Sequence, residues 1–145
     1  QCAKLLANAE SIRAQLPPDA NRGLRWMADA GVTWAKELSG LPDAARTLPY
    51  EVQVLRIGDG VLVALPGEVF IEYALQIAAA SPFAATTVAA YASDCPSYIP
   101  TTAAYAAGGS EVDNAIRYYG TTMPAPDMES RILAATNRLL ARVGD

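Results

Sequence analysis

The chain has 145 residues, 52% of them hydrophobic and 18% charged, with a formal net charge of -4 and a pI near 4.8. That length and apolar fraction suit a single globular domain with a real core, while the acidic balance argues against a phosphate-binding surface and so against nucleic acid as a partner. Histidine is absent, which removes the Ser-His-Asp and Cys-His constellations, the HExxH zinc helix and any imidazole proton shuttle from this chain.

From the front, Leu5, Leu6, Ala9, Ile12 and Leu16 recur at helical spacing, and Pro17-Pro18 ends that helix. Asp19 or Asn21 is the expected cap of a second helix reaching about Leu38, with Leu24, Met27, Val32 and Ala35 on its apolar side and Trp26 and Trp34 touching the rest of the fold. From Tyr50 the period changes to two. Tyr50, Val52 and Val54 alternate with Glu51 and Gln53, and Gly58-Asp59-Gly60 turns the chain into the apolar run Val61 to Leu65, so the pair reads as a β-hairpin. An uninterrupted apolar strand is expected to be covered on both faces, in the middle of a sheet flanked by helices.

Leu65-Pro66-Gly67-Glu68 then stops the strand at a Pro-Gly turn and delivers a carboxylate where a helix, Val69 to Ala80, is expected to begin. Phe70, Tyr73, Ala74 and Ile77 form its inward side, and Ser81-Pro82 stops it. Thr86 to Ala92 is β-branched and apolar and reads as a second buried strand, completing a β-α-β unit with parallel strands and a right-handed crossover. The remainder holds a short Ala-rich helix near Ala103 to Ala107, the Gly108-Gly109 and Tyr118-Tyr119-Gly120 breaks, and a final amphipathic helix from about Asp127 to Arg142 that buries Ile132, Leu133, Leu139 and Leu140. The expected fold is therefore α/β: a mixed sheet in which a β-hairpin is followed by a β-α-β unit, flanked by helices. No apolar run approaches the ~20 residues of a membrane-spanning helix. Cys2 and Cys95 fit no CxxC spacing; free thiols are expected, with a bridge between them as the alternative.

Parallel strands carry their C-terminal ends to one edge, where ligands bind in open α/β sheets. Glu68 and the segment from Ser93 to Tyr98 are thus expected to share a rim, bringing Glu68, Asp94, Cys95 and Tyr98 together. Bland explanations stand beside the functional one. The helix dipole alone favours a glutamate in a first turn, a rim carboxylate is ordinarily solvated, and Tyr98 can serve as a loop anchor bonded to backbone. Glu68 paired with Asp94 would offer a proton donor and acceptor. As metal donors, Glu68 and Tyr98 supply oxygen but no imidazole, too little for tight zinc binding without another polypeptide segment.

The run Leu65-Pro66-Gly67-Glu68, the helix after it, Tyr91-Ala92-Ser93, and then Ser97-Tyr98-Ile99-Pro100-Thr101-Thr102 with Tyr105 resembles the later part of the neutral/alkaline ceramidase family and its short bacterial relatives. The similarity spans roughly Tyr50 to Gly109, with a closing helix like that of the short relatives. The resemblance implies a zinc-dependent amidohydrolase that cleaves an N-acyl amide with metal-activated water, with Glu68 and Tyr98 as zinc ligands. It also implies two histidines from an earlier segment, so the chain is expected to be either a single domain or the C-terminal portion of a longer catalytic domain, inactive alone. Asp94 is the expected water-orienting residue, on rim geometry. The family often has Asn where Ser93 stands and, in ceramidases proper, His where Ser97 stands. The partners implied are the missing segment or a second chain, a lipid-like amide substrate, and another copy of the chain; an extracytoplasmic or secreted location follows from the same likeness. Other readings are a non-catalytic domain binding a lipid or small ligand near Phe70 and Tyr98, and a structural half of a two-chain assembly.

Overall fold

The computed structural model describes residues 2–41 and 47–144, with side chains from residue 6 onward. Two helices lead, α1 (Cys2–Ala14) and α2 (Arg22–Gly40), followed by the hairpin β1 (Gln53–Ile57) and β2 (Gly60–Ala64). Next come β3 (Glu68–Val69), α3 (Ile71–Ala80), β4 (Ala85–Ala89) and β5 (Tyr98–Ile99). Short helices α4 (Thr102–Ala107), α5 (Ser110–Asp113) and α6 (Ile116–Tyr119) precede the long α7 (Met128–Gly144). The fold is mixed α/β: one sheet in the order β1-β2-β4, with an antiparallel hairpin and a parallel β2–β4 pair, and a second, two-stranded parallel sheet of β3 and β5.

The apolar run from Val61 becomes the middle strand, as its composition requires, but its two faces differ. Val54, Val61, Val63 and Val88 face the main core, where Tyr73 and Ile77 of α3 and Ile132 and Leu140 of α7 meet them. The opposite face carries the register partners Leu55, Leu62 and Thr87, and there Leu55 is 51% and the neighbouring Ile57 71% exposed. Coverage of both faces, expected from the unbroken apolar run, is thus realised on one face only among the described residues. A continuous apolar strand signals that both faces want covering without saying which polypeptide covers them.

The helical hairpin α1–α2 forms a second, smaller core with α6, in which Trp34, Ala35, Leu38 and Ile116 pack with Leu6 and Ala9. Asn21 caps α2 as expected, its Oδ1 accepting from Leu24 N at 2.9 Å. Trp34 is buried and donates its indole N–H to Thr121 O. The buried side of α2 runs through Ala28, Gly31, Val32 and Ala35, while Leu24, Met27 and Ile12, expected inward, are 46%, 46% and 44% exposed. Toward α6 the helix turns Trp34, Ala35 and Leu38, with Arg117 passing Gly31 at ordinary van der Waals distance.

The boundaries around the rim also differ from the sequence reading. Helix α3 starts at Ile71, because Glu68 and Val69 pair with Tyr98 and Ile99 as strand rather than entering the helix. The strand expected to reach Ala92 ends at Ala89, beyond which Tyr91 (φ 57) and Ser93 (φ 67) take left-handed backbone. One half-buried and one fully buried phenol fix the rim from below. Tyr50 donates to Pro66 O at 2.8 Å and the fully buried Tyr73 to Pro100 O at 3.1 Å, tying down the chain just before Glu68 and just after Ile99. Tyr73→Phe leaves that carbonyl buried and unpaired and is expected to cost about 1–3 kcal/mol, read as a lowered urea midpoint at unchanged slope; an unaltered midpoint would show that the bond does not contribute.

Candidate functional site

The parallel pair β3–β5 sets Glu68 directly against Tyr98 and Val69 against Ile99. Gly67 makes this approach possible. Its φ of +81° is left-handed, and a Cβ there would lie 2.6 Å from Ser97 O and 3.0 Å from Ile99 Cγ1. The turn interlocks with the loop after β4: Gly67 N donates to Asp94 O, Tyr91 N to Gly67 O and Ala92 N to Leu65 O. Those bonds hold Tyr91 and Ser93 in a conformation that costs a residue with a side chain about 1–2 kcal/mol. Strain of this kind collects where a side chain must be aimed.

What Tyr91 is aimed at is Glu68. Its hydroxyl donates to Glu68 Oε2 at 2.6 Å and Tyr119 donates a very short bond to Oε1, while Tyr98 stands beside the carboxylate as its strand partner. One carboxylate is therefore bonded by two phenols, with a third next to it. The rings are ordered too: Tyr98 lies edge-to-face on Phe70 at 6.5 Å and on Tyr119 at 6.1 Å. Partial burial pulls the Glu68 carboxyl upward, but the Tyr119, Tyr91 and Tyr98 hydroxyls outweigh it and hold the group below its ordinary value. Interaction with the Glu68 anion in turn raises all three phenols, Tyr91 to about 12.

Of the residues expected at the rim, Glu68 and Tyr98 are in contact. Asp94 holds the loop, its backbone oxygen accepting from Gly67 N and its Oδ1 accepting from Cys95 N at 2.8 Å. Cys95 is a free, exposed thiol at the edge of the group, within reach of Tyr119; the Cys2 side chain lies outside the described residues. Ser97 is buried at 1% exposure with no hydrogen-bond partner for its Oγ, immediately before Tyr98. Tyr119 was not singled out from the sequence, and Tyr91 only as part of a motif. Their contacts with Glu68 span 51 and 23 residues and follow from tertiary packing that no local pattern encodes.

As a metal site, this is a partial donor set. Carboxylate and phenol oxygens suit zinc, but a catalytic zinc takes three protein ligands, and among the described residues no cluster of three or more His, Cys, Asp or Glu side chains could hold a metal ion. Glu68 and Tyr98 offer two oxygen donors of the kind zinc accepts, and the described residues beside them add no third carboxylate, thiol or imidazole cluster. A groove of about 440 Å³ lies elsewhere, against Tyr50, Met123, Met128 and Ile132. The chain matches no protein-family model, no curated protein and no solved structure.

Two carboxylates on this side of the molecule make stability depend on acid. Glu129 of α7 accepts from Gln76 of α3 and from Thr102 N at the start of α4, and these bonds keep it, like Glu68, below the ordinary 4.5. Groups depressed in the folded state stabilise it above their unfolded value and lose that contribution as pH falls through the folded one. The urea midpoint is expected to be flat near neutrality and to fall below about pH 4.5, and Glu129→Gln should lower it near pH 7 while flattening the acid limb. An acid limb identical in the variant would remove Glu129 from this role.

Proposed function

We propose that this chain carries two of the ligands, Glu68 and Tyr98, of a zinc-dependent amidohydrolase resembling the neutral/alkaline ceramidases, and that its remaining ligands come from a further segment or a second chain. The observation that carries this reading is the pairing of Glu68 with Tyr98 across β3 and β5. A strained arrangement in which two phenols bond one carboxylate beside a third is costly for a merely solvated rim acid. It is reasonable for a carboxylate that must present an oxygen in a fixed direction.

In this reading, Glu68 and Tyr98 hold the metal. Zinc, when bound, lowers the pKa of water toward ~7 and polarises an amide carbonyl. Tyr91 and Tyr119 orient the carboxylate, and Asp94 shapes the turn through its bonds to Gly67 and Cys95. The alternative role for Tyr98, in place of ligation, is to donate its hydroxyl to the carbonyl oxygen as negative charge builds on it. The open sheet face bearing Leu55, Leu62 and Ile57 supports the need for more polypeptide, since an exposed apolar face of this kind ordinarily meets another layer. That face also favours the alternative of a structural half in a two-chain assembly.

The test is hydrolysis of an N-acyl sphingoid amide by the full-length encoded protein purified without chelators. Fatty acid release that stops on zinc removal and returns on zinc addition is expected. Release that is absent throughout, or indifferent to zinc, would reject the enzymatic reading and leave the structural one.

A further inference from the structure

Among the described phenols around Glu68, Tyr119 meets both candidate ligands, through different interactions. It donates to Glu68 Oε1 and meets the Tyr98 ring edge-on at 6.1 Å and 89°. Its position is set from outside the rim. Ile116, one turn earlier in α6, is buried in the second core with Trp34 and Leu38, and Gly120 ends α6 in left-handed backbone at φ 64. Tyr118, its neighbour, is stacked on Trp26 of α2 at 5.2 Å with the rings 6° from parallel. With Tyr118 claimed by α2, Tyr119 is directed to Glu68.

Tyr91 is held differently. It is 61% exposed, on a left-handed loop position, and its bond to Oε2 is open to water. Water competes well for an exposed hydrogen bond, so that oxygen is the more easily released of the two. Carboxylates that ligate metals commonly keep their other oxygen on a hydrogen-bond donor, which fixes the direction of the ligating one.

We propose that Tyr119 is the positioning residue of this centre: it anchors Glu68 by Oε1 and holds the Tyr98 ring, leaving Oε2 as the carboxylate oxygen that meets the metal ion once Tyr91 gives way. The inference rests on the metal reading above. It makes the helical hairpin, through α6, a determinant of metal affinity although that hairpin supplies no ligand.

The experiment measures zinc affinity of the full-length protein by chelator competition in wild type, Tyr119→Phe and Tyr91→Phe. Tyr119→Phe keeps the ring and is expected to weaken zinc about 10- to 100-fold, the usual cost of losing a partner of a metal ligand, whereas Tyr91→Phe should change it less than about threefold. A second readout separates positioning from a general loss of stability. In the zinc-free protein, the unfolding constants of Tyr119→Phe, Glu68→Gln and the double variant should depart from multiplicativity by about tenfold, as for groups in direct contact. Equal zinc affinities in the two phenylalanine variants, or multiplicative unfolding constants, would overturn the proposal. A wild-type protein that binds no zinc would sink the metal reading and this inference together, an outcome distinct from zinc that binds indifferently to Tyr119.

Discussion

Replacing Glu68 by Ala in the full-length protein is expected to abolish zinc retention and with it N-acyl amide hydrolysis, each by on the order of 10³-fold or more. Loss of a hydrogen-bond partner to a ligand already weakens a metal by roughly 10- to 100-fold, and loss of the ligand itself should exceed that. The fold should survive. The two hydroxyls freed by the change lie on exposed and partly exposed residues, where water replaces the carboxylate as acceptor. Glu68→Gln is the companion variant, because it keeps the shape and one acceptor oxygen while removing the charge; it should also release zinc while staying folded, with the lowered stability near pH 7 that loss of a depressed carboxylate entails. Zinc content measured on both variants after gel filtration decides the matter, and a stoichiometric metal in Glu68→Ala would remove Glu68 from the site.

Gly67→Ala should act on the scaffold of the same site. The left-handed φ of +81° penalises a Cβ, and the added atom would meet the Ser97 carbonyl oxygen at 2.6 Å. Backbone cannot swing aside as a side chain can. Left-handed strain of about 1–2 kcal/mol and an overpacking term of about 1–3 kcal/mol give an expected loss of roughly 2–5 kcal/mol. Parting β3 from β5 would relieve the clash and separate Glu68 from Tyr98, so the variant is expected to lose zinc affinity as well as stability. Chemical denaturation provides the check: a change under about 0.5 kcal/mol, the scale of an ordinary surface substitution, would mean that the close approach at Gly67 is not needed.

The features legible in the sequence are those with a period or a cap. Tyr50, Val52 and Val54 gave the inward side of the first strand region, Gly58-Asp59-Gly60 the hairpin turn, Asn21 the start of α2, and Ile132 and Leu140 the buried side of α7. The shared rim of Glu68 and Tyr98 followed from parallel-strand topology. The form of their meeting did not, because a two-residue bridge such as β3–β5 is too short to carry alternation and Glu68 reads equally well as a first-turn residue. Leu24 and Met27 share the apolar period of α2 yet stay exposed, because α6 meets the helix through Trp34, Ala35 and Leu38 instead. The left-handed backbone at Tyr91 has no local sequence signal, since an aromatic residue there is disfavoured and is held by bonds from Gly67 and Leu65.

The central claim is a shared ion between a strand-end carboxylate and the phenol opposite it. Anomalous diffraction at the zinc edge, on crystals of the full-length protein prepared without chelators, addresses it most directly. The account predicts a single peak about 2.0–2.2 Å from Glu68 Oε2, beside the Tyr98 hydroxyl, with Tyr119 still bonded to Oε1. A zinc peak bound by other residues, or crystals of active protein with no metal beside Glu68, would contradict it.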